Sequence, residues 1–384
     1  MSDVFTAINE LRPAIRARAD EIEKARRLPA DLARSLARAG AFHMLVPREV
    51  GGLELPPAVA LRAIESAGAA DASVGWCVMI GATTGLNAAY LPVDTAREIF
   101  ASPDVITGGV FAPMGRAVRD GDDYVLDGRW QWASGSANCD WLLAGAIVFE
   151  NGAPRKLADG TVDDRKFIFP ASQATLGDTW HVTGLCGTGS GEMAVANVRV
   201  PARRTTSYLE SRPAAAGALY AFPVFGLLAL GIAAVALGNA RSAIDDLVEL
   251  AGGKQPQGSR RTLAERGAAQ TALATAEADW RSARAFFYET VEAAWMVAQG
   301  TGQVDVRQRA LLRLAATNAT RKSADVTRAM YDLAGGSSVF LSSPLQRRFR
   351  DAHVATQHLM VSPPTYELAG RVLMGLPIDP ATPL

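Results

Sequence analysis

Histidine and cysteine are scarce in this chain of 384 residues, with four of the first and three of the second. His43, His181, His353 and His358 form no HExxH pair and no Cys/His group at zinc-finger spacing. His353 and His358 stand five apart, which does not align two ligands on one helix face. Metal catalysis therefore has little footing, and no metal site is expected. Cys77, Cys139 and Cys186 are far apart, odd in number and without a CxxC pair. That argues against structural disulfides and for a reducing, cytoplasmic setting.

Charge of one sign is missing as well. Lys plus Arg and Asp plus Glu balance at 39 each, so no basic face is implied for nucleic acid or an anionic membrane. The opening residues, MSDVFTAINELRPAIRARADEIEKARR, are charged and amphipathic and lack the apolar core of an export signal. One long apolar run does occur, Tyr220 to Ala240. About 20 residues suffice to span a bilayer, but the Ala and Gly content of this run favours a buried helix, and no membrane partner is expected. Ser35, Ser136 and Ser190 lack the strand–nucleophile–helix setting of a hydrolase.

What the sequence does have is helical spacing at both ends and alternation between them. Ile8, Leu11, Ile15 and Ala19, then Leu28, Leu32, Leu36 and Ala39, set a helical region over residues 1–104. Between 105 and 205 the period falls to two in Tyr124–Trp132 and Met193–Val200, with further strands expected at Trp141–Phe149 and Arg165–Pro170. Gly and Asp punctuate these runs. From 206 to 384 long helices return, clearest at Leu263–Val297 and 304–334, which favours a bundle. The segment 251–259, AGGKQPQGS, reads as a flexible link.

Cys186-Gly-Thr-Gly-Ser-Gly tempts a dinucleotide reading, but a Rossmann loop needs its glycines between a strand and a helix. Here they precede a strand. The turn still offers backbone donors and the hydroxyls of Thr188 and Ser190, which suit a polar ligand edge as well as a plain surface turn.

Three segments resemble landmarks of the acyl-CoA dehydrogenase superfamily: Gly128-Arg-Trp-Gln-Trp-Ala-Ser-Gly, the stretch from Gly184 to Pro201, and Gly335-Gly-Ser-Ser-Val-Phe with Pro344-Leu-Gln-Arg-Arg-Phe-Arg-Asp. The resemblance covers essentially the whole chain. It implies an acyl-CoA dehydrogenase-like fold: an N-terminal helical domain, a central β-barrel-like domain and a C-terminal four-helix bundle carrying flavin and subunit contacts. It places Ser134 by the flavin N5 and Trp132 beside the isoalloxazine ring. The dehydrogenases of the family commonly carry a glutamate base where this chain has Leu359; Asp245, Asp246 and Glu249 are the alternatives in an earlier helix. Phe111-Ala-Pro-Met-Gly stands in place of the family's Thr-Glu-Pro segment, and Cys186 where an arginine is common.

Arg350-Asp351 followed by Gln357-His358 is similar instead to the oxygen-using branch, the two-component monooxygenases of 4-hydroxyphenylacetate, phenolic steroids and dibenzothiophene. That likeness implies reduced FMN or FAD delivered by a separate NAD(P)H-dependent reductase, O2 as co-substrate, a small organic substrate and a homotetramer. It sets His358 at the C4a/N5 edge, where one imidazole in a dry pocket can retain oxygen on the flavin and manage its proton. Gln357, Thr188 and Ser190 become cofactor contacts. Arg347 and Arg350 become phosphate or subunit contacts, or helix-end ion pairs. Trp76, Thr84 and Asn138 would line the substrate pocket. Thr84 stands where phenol-hydroxylating relatives have a histidine, and its hydroxyl can bind a polar group but is no base near neutral pH. A dehydrogenase, a flavin oxidase and a cofactor-free helical scaffold remain the alternatives.

Overall fold

Caps and apolar stripes account for the first helices. Asp3 opens α1 (Val4–Ala17) by accepting the Thr6 N–H at 2.8 Å, and Val4, Ile8 and Ile15 form its buried face. Short α2 (Ala19–Ala25) and α3 (Ala30–Arg38) follow. The first-turn proline of α4 (Pro57–Ala70) has no amide to leave unsatisfied. Buried Asp71 caps α5 (Ala72–Thr84), accepting from Ser73 N at 2.9 Å and Val74 N at 3.1 Å. Nearly every side chain of α5 is buried, which explains its lack of a polar stripe. The last helix of this region is α6 (Val93–Phe100). The chain is seen here as a computed structural model that describes residues 3–208, 212–379 and 382. Residues 1–2, 209–211, 380–381 and 383–384, within the expected first and last regions, lie outside the described residues.

Among the described residues eight strands follow: β1 (Thr107–Asp120), β2 (Asp123–Trp130), β3 (Trp141–Glu150), β4 (Ala153–Pro154), β5 (Asp164–Pro170), β6 (Thr175–Gly177), β7 (Glu192–Pro201) and β8 (Thr205–Thr206). They form one sheet in the order β6-β7-β2-β1-β3-β5-β8, with β4 beside β3. Among the described residues only β1 and β3 pair in parallel. The sheet curls around its own core: Tyr124 on β2 meets Phe167 on β5 with ring centroids 5.3 Å apart, although β1 and β3 lie between those strands. Trp130, Leu126, Leu142, Phe169 and Met193 fill the same interior. β1 was not legible as a strand, because Gly108, Gly109, Pro113 and Gly115 interrupt its alternation; its pairing with β3 shifts register between Val110 and Gly115.

The remaining helices are α7 (Ala218–Ala221), α8 (Val224–Gly253), α9 (Gly267–Gly300), α10 (Val306–Ala334), α11 (Pro344–Ala355) and α12 (Pro364–Leu373). α10 packs on α8, α9 and α11, and α8 also packs on α11, so these four make the bundle. The start of α9 falls four residues inside the apolar pattern, because Leu263 N–H donates to Lys254 O at 2.7 Å and turns the chain there. Among the described residues, α8 is the one helix long and apolar enough to cross a membrane, but 78% of its most apolar window is buried inside the protein. It is a core helix, packed on α4 and α5 as well as on the bundle. A Cβ at Gly238 would sit 2.0 Å from Glu65 O, so glycine is what lets α8 and α4 touch backbone to backbone.

Candidate functional site

β2 and β7 pair antiparallel as far as Trp130 and Met193. The turn that leaves β2 and the glycine-rich turn that enters β7 are therefore held together. Ala133 N–H donates to Gly191 O at 3.1 Å and Gly135 N–H to Thr188 O at 2.8 Å. Leu185 and Gly189 take left-handed backbone, with φ of 51° and 55°, and fold the second turn tightly. A Cβ at Gly187 would lie 2.2 Å from the Ile22 side chain, so α2 packs directly on this turn.

The docking of the turns brings three hydroxyls into a row. Ser134 Oγ is 2.6 Å from Ser190 Oγ, and Ser190 Oγ is 2.6 Å from Thr188 Oγ1. Thr188 Oγ1 donates to Leu185 O at 2.8 Å. From α5, Trp76 Nε1 donates to Ser134 Oγ at 3.2 Å. The Trp76 ring also neighbours His358, with centroids 5.9 Å apart and planes tilted by 59°. His358 Nδ1 accepts the Met360 N–H at 3.3 Å, so the neutral imidazole carries its proton on Nε2. Burial, aided by the Arg313 guanidinium, pushes its pKa down to about 4. Near pH 7 it is a neutral N–H donor, not an imidazolium.

Trp132 is the exception to burial here. It is 61% exposed and holds a φ of 64°, uncommon for a bulky residue and therefore a mark of constraint. Thr84 lies on the α5 stripe Trp76–Ile80–Thr84, two turns or about 12 Å from Trp76. Its hydroxyl donates to Ile80 O at 2.8 Å. Beyond it Asn87 Oδ1 accepts from Thr206 Oγ1 at 2.9 Å and Tyr208 Oη at 3.0 Å. Tyr208 packs against Tyr90, Phe111 and Phe225 at 4.6, 5.9 and 6.4 Å between ring centroids. Sequence reasoning missed this aromatic group, since its members come from separate elements with no shared spacing.

Other sequence candidates stand apart. Asn138 donates to Leu28 O at 3.0 Å, beside a small cavity shared with Phe42, Cys77, Ile80 and Thr107. Gln357 is exposed, and its amide donates to Thr356 Oγ1 at 3.0 Å. Arg347 and Arg350 are ion-paired: each donates to Glu23 at 2.6 Å, Arg347 also to Asp20 and Arg350 also to Thr183 O. Burial opposes the Glu23 charge, but the two guanidiniums still hold its carboxyl below the usual range. These pairs tie α11 to α2, which is the ion-pair alternative of the two expected for them. Asp351, which the sequence offered only as a member of the Arg350-Asp351 pair and with no role, accepts Leu185 N–H at 2.6 Å from within the core. Burial, reinforced by Asp71, raises its pKa to about 7.

Flavin fits these residues on two counts. An isoalloxazine needs an apolar wall and one polar partner at N5, and Trp132 offers an open indole face two residues from the buried Ser134 hydroxyl. Among the described residues no group of three His, Cys, Asp or Glu side chains converges to hold a metal.

Family models for the acyl-CoA dehydrogenase N-terminal and C-terminal domains match residues 7–92 and 230–363. The chain belongs to the acyl-CoA dehydrogenase family. Within it, the chain is 36% identical to the indole-3-acetate monooxygenase of Pseudomonas putida, over 94% of this chain and 90% of that one. It is 29% identical to the FADH(2)-dependent resorcinol hydroxylase oxygenase component of a Rhizobium species, over 90% and 88%. The crystal structure of the HsaA monooxygenase from Mycobacterium tuberculosis superposes with a TM-score of 0.89 at 28% identity, covering 98% of both chains. Its relatives are thus flavin-dependent monooxygenases, whereas a dehydrogenase base is hard to place. Leu359 is 71% exposed and has no proton to exchange. Asp246 is ion-paired with both Arg16 and Arg348, Asp245 pairs with Arg241 at 2.9 Å, and Glu249 is exposed.

Proposed function

We propose that this protein is the oxygenase component of a two-component system: it takes reduced FMN or FAD from a separate NAD(P)H-dependent reductase and uses O2 to insert one oxygen atom into a small aromatic substrate. The observation that carries the reading is the group His358–Trp76–Ser134, a half-buried neutral donor, a buried apolar wall and a buried hydroxyl, with no carboxylate hydrogen-bonded to it among the described residues. When bound, reduced flavin supplies the electrons that activate dioxygen.

The chain's own residues then have defined tasks. Ser134 would hold the N5 edge, backed by Ser190 and Thr188, and Trp132 would supply the apolar face for the ring. His358 would offer its Nε2 proton as a neutral hydrogen-bond donor on the oxygen-reacting side, and its lowered pKa leaves it without the extra proton of an imidazolium near neutral pH. Trp76 hydrogen-bonds Ser134 and neighbours His358, and its buried indole would help keep water from the site. The relatives named for indole-3-acetate and resorcinol support an aromatic substrate. Thr84 and the aromatic group around Tyr208 are the side chains we assign to contact such a ring. A homotetramer in the cytoplasm suits the exposed apolar turn Val339–Leu341, which another copy would cover.

The test is anaerobic mixing with reduced FMN or FAD, then addition of 18O2 with indole-3-acetate or resorcinol. Product carrying one labelled oxygen supports the reading. His358→Ala should lower product per reduced flavin by about tenfold or more and raise peroxide release. Stoichiometric reduction of tightly bound oxidised flavin by an acyl thioester, with no labelled product, would select a dehydrogenase instead.

A further inference from the structure

We infer that the hydroxyls behind Ser134 form a one-way chain that leaves Ser134 able only to accept, so that the site favours reduced flavin over oxidised flavin. The inference rests on the flavin reading above and adds a device for it. Reduced flavin presents N5–H, a donor. Oxidised flavin presents a bare N5 lone pair, an acceptor.

The direction follows from counting protons. Each hydroxyl has one proton and two lone pairs. Leu185 O, which also receives Thr188 N–H at 3.1 Å and Trp180 Nε1–H at 3.0 Å, takes the Thr188 hydroxyl proton at 2.8 Å. Across the 2.6 Å contact, Ser190 then has to donate to Thr188. Ser190 has no second proton, so the next contact, also 2.6 Å, has Ser134 donating to Ser190. Trp76 Nε1 is a donor only and occupies one lone pair of Ser134, at 3.2 Å. What remains on Ser134 is a single lone pair. It can receive N5–H of reduced flavin and has nothing to give to oxidised flavin.

Bulk solvent has little access to this row, because Ser134, Ser190 and Thr188 are 4%, 5% and 1% exposed. The chain can reverse only by turning the Thr188 proton off Leu185 O. One buried hydrogen bond is then lost for the one gained at N5. The penalty on oxidised flavin is therefore close to the worth of one hydrogen bond, about fivefold in affinity. An enzyme that takes reduced flavin from a partner and must later discard the oxidised form gains from this asymmetry at both ends of its cycle.

Two near-isosteric variants cut the chain without touching Ser134. Ser190→Ala removes the acceptor of the Ser134 proton, and Thr188→Val removes the acceptor of the Ser190 proton. Oxidised FMN and FAD are titrated by their absorbance and fluorescence, and the reduced forms anaerobically, against the full-length protein. Wild type should bind reduced flavin more tightly. Each variant should tighten oxidised flavin by about fivefold while leaving reduced flavin within about twofold, with a shifted 450-nm band from the new N5 hydrogen bond. Ser134→Ala should do the converse, weakening reduced flavin alone. Unchanged oxidised-flavin affinity in both chain variants, or equal changes in both redox forms, overturns the one-way chain. Wild-type protein that binds neither form overturns the flavin reading itself, a separate result.

Discussion

The turn from Gly184 to Gly191 carries two polar networks of opposite kind. Its first half is ionic: Asp351 receives Leu185 N–H, Arg350 donates to Thr183 O, and Glu23 joins Arg347 and Arg350. Its second half is neutral, the row Thr188–Ser190–Ser134. Charges bind strongly from several directions, so they fix where the turn sits but set no sense along a line. Hydroxyls bind weakly, yet each has one proton, so a row of them ending on a carbonyl has a direction. Burying them also places no charge next to the ring. Position comes from the first half and polarity from the second.

The largest effect should come from breaking the ionic half at its buried member. Asp351→Leu leaves Leu185 N–H in the core without an acceptor, at a cost of about 2 kcal/mol. Urea unfolding should show a lowered midpoint with an unchanged slope. A shift of less than about 0.5 kcal/mol would mean that the turn is held by its backbone contacts with the Ser134 turn instead.

A pH series sharpens the same contrast. Burial raises the folded pKa of Asp351 to about 7, against an ordinary carboxyl value of 3.8. Through that window the folded state binds more protons than the unfolded one, so stability falls as pH rises and the full penalty stands above the folded pKa. Asp71 is pushed the same way by burial and contributes to the wild-type slope. His358 acts in the opposite sense: its folded pKa of about 4 lies below 6.5, so stability falls as pH drops through that range. Asp351→Asn keeps an acceptor for Leu185 and removes one titration. Its stability relative to wild type should therefore rise between pH 5 and pH 8, by more than about 1 kcal/mol. A flat difference would show that Asp351 stays ionised throughout.

These two networks also show what could be read from the sequence. The hydroxyl half was legible in part: Ser134, Thr188 and Ser190 stand in segments whose order and spacing resemble a known family, and the alternation of β2 and β7 announces the strands that bring them together. That they touch one another was not legible, because it depends on the register Trp130 to Met193. The ionic half was hidden further. Asp351 lies 166 residues from Leu185, and Glu23 324 from Arg347; such pairings arise from packing α2 and α11 on one turn. Helices and bundle followed from periodicity, whereas β1 escaped because its glycines and bulge erase the alternation.

The smallest effect should follow from Arg347→Ala, at the outer rim of the ionic half. Its partner Asp20 has a side chain 69% exposed, and Glu23 keeps Arg350 when Arg347 is gone. Loss of stability should be about 1 kcal/mol or less and should shrink in high salt. The same variant separates the two tasks open to this guanidinium. As an ion pair between α11 and α2, it leaves flavin affinity unchanged. As a phosphate contact, its removal would weaken FMN and FAD by about tenfold with little change in stability. The geometry favours the first outcome, since two carboxylates already face the guanidinium and a phosphate would have to displace both.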